Sequence, residues 1–186
     1  MPVTAVHQLE GRVALVTGGT GALGRSVVRR LTPRYPRLSC RGFTAAPVQD
    51  TVPPAWDQML AVNATSVFLC CRAAVPLLRV SGGGRIVNVA ARPALERGAA
   101  NMSAYAASKA AVLSLSYSLA KELARDRITV NTIVPSIIDT AANRAAMPRG
   151  DQNTWLKPDE IAEVVAFLVS DAAGIVTGSA VNLSRG

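Results

Sequence analysis

Aromatic side chains make up 4% of this 186-residue sequence, histidine occurs once, and cysteine occurs three times. Cys40 and the adjacent Cys70 and Cys71 are an odd number without metal-ligand spacing, so no metal site is expected and free thiols in a reducing cytoplasm fit best. No apolar run reaches the ~18 residues of a membrane span. Met1 to Glu10 holds no basic cluster followed by an apolar block, so no signal peptide is expected. Acidic residues are absent between Glu10 and Asp50. Sparse aromatics and the lack of a nucleic-acid motif argue against nucleic acid as a partner.

What is present fits a globular domain with a substantial core. Hydrophobic residues make up 49% of the chain and charged ones 17%, which predicts one compact domain over 1–186. The net charge of +8 is uneven: Arg25, Arg29, Arg30, Arg34, Arg37 and Arg41 crowd one stretch. Such a cluster suits a polyanion, but a solvated face beside a phosphate site explains it more simply.

Arg12–Thr17 is a short β-rich apolar run, read as a buried parallel strand. Gly18, Gly19, Thr20, Gly21, Ala22, Leu23 and Gly24 follow, and a helical pattern runs from Arg25 to Leu31. Gly19, Gly21 and Gly24 have the spacing that lets backbone approach a pyrophosphate at a helix N-terminus. Thr32–Pro36 then stops the helix. The second strand, with its ribose-binding acid about 20 residues past the glycines, does not follow. Residues 37–43 contain no acid and have hardly room for a strand.

Ala55 to Val80 reads as a long, nearly all-round apolar helix with Asn63 inside it and Pro76 expected to kink or end it. Arg85–Ala90 and Arg127–Val134 are buried-strand patterns, Thr177–Leu183 a final strand, and residues 158–170 a last helix. Residues 91–103 read as a loop, and 136–155 as a polar, irregular loop fit for a substrate lid. Strands alternating with helices predict an α/β fold with a parallel sheet.

The helix from Ser103 to about Arg125 carries Tyr105 and Lys109, four apart and so on one face. An ammonium beside a phenol favours the phenolate and is expected to lower a pKa that otherwise sits near ~10. A tyrosine so tuned exchanges protons near neutrality.

Thr17–Gly24, Asn63, Arg85–Val89, Tyr105-x-x-x-Lys109 and Val130-Asn131-x-x-x-Pro135 together resemble the short-chain dehydrogenase/reductase family. Ala22 in the glycine loop, and the stretches 135–140 and 143–148 with Trp155, are similar to its dihydropteridine reductase branch. The resemblance implies a Rossmann-like doubly wound parallel sheet and NAD or NADP as cofactor. It makes Tyr105 the general acid/base and Lys109 its tuner and ribose ligand, with Asn63 anchoring a relay water. Residues 18–24 would cradle the pyrophosphate, and Ile138 and Thr140 would meet the nicotinamide. It also implies homodimers or homotetramers formed through the helices at 55–80 and 105–123.

Two departures stand out. Ala90 and Ala91 occupy the place of the family's carbonyl-binding serine, as in dihydropteridine reductases, with Ser103 or Asn88 as substitutes. Between the first helix and the helix at Ala55 there is no space for two further βα units, so the second and third strands are expected to be missing, leaving a truncated sheet. Arg41 stands where an asparagine is common. Two functions follow: an NAD(P)(H)-dependent oxidoreductase acting on a carbonyl or a pterin-like ring, or a non-catalytic homologue that serves as an oligomerisation module.

Overall fold

A computed structural model describes residues 22–31, 43, 45–96 and 98–185. The expected strand at 12–17, the loop residues Gly18, Gly19, Thr20 and Gly21, and residues 32–42 with Arg41 lie outside the described residues. The chain divides into two compact units, one holding residues 41–134 and 176–182, the other residues 135–175 and 183–186 together with the N-terminal forty.

The first unit is built on parallel strands. β1 (Gly84–Val89) pairs with β2 (Ile128–Pro135) in parallel register, Gly84 opposite Ile128 and Val89 opposite Ile133. β3 (Ala180–Leu183) lies on the other side of β2, giving the order β1-β2-β3. Among the described residues no strand precedes Gly84. β2 is buried along its whole length, as its run of β-branched residues predicts.

Ahead of β1 runs one continuous helical rod: α2 (Pro53–Met59), a π-helical segment at Leu60–Thr65, and α3 (Ser66–Val80). Pro53 and Pro54 sit in the first turn, where their missing N–H groups cost nothing. Pro76 neither ends nor replaces α3, which continues to Val80. Of the two expected effects, a kink or an end, the end does not occur, and the helix reaches Val80 as its apolar pattern predicts. A proline removes one hydrogen bond, and the contacts of Val75 and Leu78 with the buried cluster of Ala120, Leu123, Ile128 and Val130 hold the last turn in place. Burying side chains of the size of Ile128 and Val130 contributes about 1.5–3 kcal/mol each.

A second sequence expectation is also revised. The helix Pro53–Val80, 28 residues, is long and apolar enough by length and composition to cross a membrane, and 11% of its most apolar window is buried in this chain. Interspersed Asn63, Ser66 and Arg72 interrupt any unbroken apolar run, yet the average over a window is still strongly apolar. Trp56, Phe68, Leu69, Leu77 and Val80 are exposed on it.

After β1 the connection is not a plain loop, since α4 (Arg92–Leu95) forms one turn with Pro93 near its start. α5 (Ser103–Glu122) then returns along the sheet, burying Val112, Leu113, Ser116 and Ala120. Leu113 packs with Ala90 and Val134. Asn131 fastens the β2–β3 crossing: its amide donates to Val176 O at 2.8 Å, and its carbonyl oxygen accepts from Ser179 N at 3.2 Å.

In the second unit, α1 (Ala22–Leu31) packs on α7 (Pro158–Val169), with Arg30 forked onto Glu163 at 2.6 and 2.9 Å. The segment read as an irregular loop carries structure of its own. α6 (Ala141–Ala146) is capped by Thr140, whose hydroxyl accepts from Asn143 N at 3.1 Å. A 3-10 turn at Gln152–Thr154 follows. Trp155 is buried against Gly150, where an added Cβ would lie 2.7 Å from the indole.

Candidate active site

Parallel α/β sheets place ligands at the carboxyl ends of their strands, and the candidate residues of the first unit collect at that end of β1. Tyr105 and Lys109 leave α5 one turn apart, and the Lys109 ammonium lies 5.9 Å from the centre of the Tyr105 ring. Lys109 Nζ donates to Val89 O at 3.2 Å, fixing it to the last residue of β1.

Asn63 is buried in the π-helical segment, with its amide donating to Ser108 Oγ at 3.1 Å. Ser108 Oγ donates in turn to the carbonyl of Tyr105 at 2.8 Å. A helical serine bonding three residues back is common in isolation. Here it links Asn63 to the turn that carries Tyr105. The structure therefore brings Asn63, Tyr105 and Lys109 together through Ser108, one of the three residues between the tyrosine and the lysine, which the spacing of the pair gives no reason to single out. Phe43 was also missed, because it lies 62 residues from Tyr105 with no pattern to connect them. Its ring meets the Tyr105 ring edge-on, centroids 4.9 Å apart at 85°.

The expected direction of tuning is reversed. Burial pushes the Tyr105 phenol above its ordinary value, rather than the ammonium drawing it down. Burial also lowers Lys109 from 10.5 to about 8. The cause is geometric: Lys109 binds the Val89 carbonyl and faces the ring, so desolvation outweighs any stabilisation of the phenolate.

Ala90 and Ala91 are buried and offer no side-chain donor. Of the substitutes, Asn88 is engaged inside the core, its amide donating to Ser116 Oγ at 2.9 Å. Ser103 opens α5 and is exposed. It lines a recess with Asp50, Thr51 and Asn101.

Of the remaining candidates, Ala22, Leu23 and Gly24 form the first turn of α1, which contains no acid. In the same unit Ile138 is bridged to Leu156, its carbonyl accepting from Asn143 Nδ2 at 2.8 Å, and Thr140 is the cap described above. Among the described residues no cluster of His, Cys, Asp or Glu could hold a metal ion.

The described strands form a parallel sheet in an α/β arrangement of Rossmann type. Residues 38–186 match the sequence model of the family described as enoyl-(acyl carrier protein) reductase. The chain is 31% identical over 175 residues to a 3-oxoacyl-acyl-carrier-protein reductase of Thermotoga maritima, covering 87% of this chain and 71% of that one. It is 35% identical over 143 residues to the (3R)-3-hydroxyacyl-CoA dehydrogenase of Rattus norvegicus, covering 70% and 54%. A solved structure from Beutenbergia cavernae, described as a candidate NAD(P)-dependent gluconate 5-dehydrogenase with NADP at low occupancy, superposes with a TM-score of 0.71 at 29% identity. That match covers 77% of this chain and 61% of that one. The chain belongs to the short-chain dehydrogenase/reductase family, whose relatives use NAD or NADP. It spans about half the length of most of the curated relatives it matches.

Proposed function

We propose that the protein is an NAD(P)-dependent oxidoreductase with Tyr105 as the group that gives or takes the substrate proton. The observation that carries this reading is the assembly of Tyr105, Lys109 and the Asn63–Ser108 link at the carboxyl end of β1. The residues suit the cofactor. Lys109 uses one of its three N–H donors on Val89 O and has the others for ribose hydroxyls. The first turn of α1, free of acids, suits a phosphate. The cofactor supplies the hydride.

Tyr105 stays protonated below its raised pKa, so it serves as the acid in the reductive direction. Phe43 and the helix packing hold the ring in a partly dry place, where a proton donor close to the substrate oxygen or nitrogen is strongest. The relatives' names point to a carbonyl/hydroxyl pair as substrate. Ala90 and Ala91 favour a more reactive acceptor, a pterin-like ring being one. A hydroxyl donor at a ketone is commonly worth ~10²–10³ in rate, and none is present there. Free Cys70 and Cys71 suit a reducing cytoplasm.

Titrating NADH and NADPH into the protein, with tryptophan fluorescence as readout, tests the cofactor. Hydride turnover is then followed at 340 nm with a 3-oxoacyl thioester and with a quinonoid dihydropterin. Saturable binding with turnover lost in Tyr105→Phe is expected; absence of binding of both nucleotides at millimolar concentration overturns the proposal.

A second reading has its own observation, the exposed apolar side chains of Trp56, Phe68, Leu69, Leu77 and Val80 on one long helix. On that reading the protein is a non-catalytic homologue that pairs with a second copy through this helix. Light scattering distinguishes the two, a monodisperse monomer being the result that removes the pairing reading.

A further inference from the structure

The amino ends of β1 and β2 lie opposite the Tyr105 end, and three arginines converge there. Arg79 comes from the last turn of α3, Arg125 from the single 3-10 turn after α5, and Arg127 from the residue before β2. With Gly82 and Asp126 they line one recess. Asp126 pairs with Arg79 at 2.8 Å. Among the described residues neither Arg125 nor Arg127 forms an ion pair, and both side chains are exposed. Three arginines and one aspartate thus line the recess.

The backbone supplies a separate observation. Arg127 is held in the left-handed region at φ 56, a conformation that costs a non-glycine residue on the order of 1 kcal/mol. The turn ahead of β1 is shaped around it. A Cβ at Gly83 would meet the Arg127 carbonyl oxygen at 2.8 Å, and one at Gly82 would come within 3.5 Å of its Nη2. Gly82 therefore passes beside the guanidinium without covering it, and Gly83 passes beside the Arg127 backbone. The backbone amides of the turn are already used, Gly82 on Arg79 O, Gly83 on Leu78 O and Gly84 on Arg127 O. Recognition at this recess falls to guanidinium groups alone, whose forked donors match tetrahedral oxyanions.

We infer that the recess of Arg79, Arg125 and Arg127 is a binding site for a small, multiply charged phosphate-class anion. It is separate from the proposed cofactor chemistry, because the length of β1 from Gly84 to Val89 puts about 17 Å between the two ends. A singly charged carboxylate is already represented by Asp126, so the remaining two positive charges call for a dianion or more.

The test is a titration of the full chain with inorganic pyrophosphate at low salt, followed by amide chemical shifts. Saturable movement of the Gly82, Gly83 and Asp126 amides, with a dissociation constant below about 1 mM, is expected. Arg127→Gly keeps the left-handed backbone while removing the charge. It should weaken binding about tenfold and raise the thermal midpoint. Arg125→Gln should weaken binding about fivefold without moving the midpoint. Shifts confined to other residues, or wild-type affinity in both variants, overturn the site. So does retention of a single-stranded oligonucleotide by both variants when pyrophosphate moves no amide, which would signify a diffuse basic surface instead.

Discussion

Replacing Lys109 by methionine should make the protein more stable and abolish its proposed activity. Lys109 sits at the carboxyl end of β1 with its ammonium largely desolvated, and burial lowers its pKa from 10.5 to about 8. The difference, at 1.36 kcal/mol per pH unit, is about 3 kcal/mol of unfavourable free energy carried by the charged form. Residual solvent contact reduces this to about 2 kcal/mol, and loss of the bond to Val89 O removes a further ~1 kcal/mol from the gain. Lys109→Met should therefore be about 1 kcal/mol more stable than wild type at pH 7. The pH dependence carries the sign. Below pH 8 the lysine is charged in both folded and unfolded chains, and the penalty is present in full. Between about 8 and 10.5 the folded chain has released the proton while the unfolded chain keeps it, so wild-type stability rises with pH. Cys71 and Tyr105, both pushed up by burial, pull the other way once their unfolded forms begin to ionise. Both are common to the two proteins and cancel in the difference. Urea unfolding followed by far-UV circular dichroism at pH 7.0 and 9.5 measures it. The gap between variant and wild type should shrink as pH rises. A gap that stays constant or widens, or a variant less stable at pH 7, would refute the burial argument.

Tyr105→Phe should keep cofactor affinity and lower turnover by about 10²–10⁴, read as kcat at saturating nucleotide. Ser108→Ala breaks the bond from Asn63 and leaves part of a buried amide exposed to apolar neighbours; about 1–2 kcal/mol of stability should be lost in urea titrations. Gly83→Ala should cost more than Gly98→Ala by about 1–2 kcal/mol, since both have positive φ but only Gly83 has a backbone oxygen 2.8 Å from the new methyl. Equal losses at the two glycines would contradict that contact.

The fold was legible where periodicity and burial agree. β2 is uniformly buried, so its β-branched run, interrupted only by Asn131, identified it to within a residue. α5 was legible from its length and α7 from Pro158 and the acids of its first turn. Pro76 misled because local propensity counts one lost hydrogen bond and cannot see Leu78 packed on Ile128 and Val130. Residues 136–155 looked irregular because α6 is held by a Thr140 cap and by Asn143, not by an apolar stripe. At the site, the four-residue spacing of Tyr105 and Lys109 was sufficient to place them on one face. The direction of their pKa values was not, because it depends on how dry the face is and on what Lys109 bonds. Phe43 could not be found at all without the tertiary contact.

The π-helical segment at Leu60–Thr65 has a consequence for how this helix tolerates change. One residue more than an α-helix needs is stored there, and the wider turn absorbs it, so the side chains of α2 and α3 keep their faces although their sequence phases differ by about 100°. A one-residue deletion within 60–65 would let the segment close as ordinary α-helix, with Trp56 and Met59 still on their present faces relative to α3. The same deletion within α2 or α3 has no wide turn to absorb it and would rotate one part of the rod against the other by about 100°. The helix is in that sense tolerant of a lost residue at one place along its length and intolerant of it elsewhere.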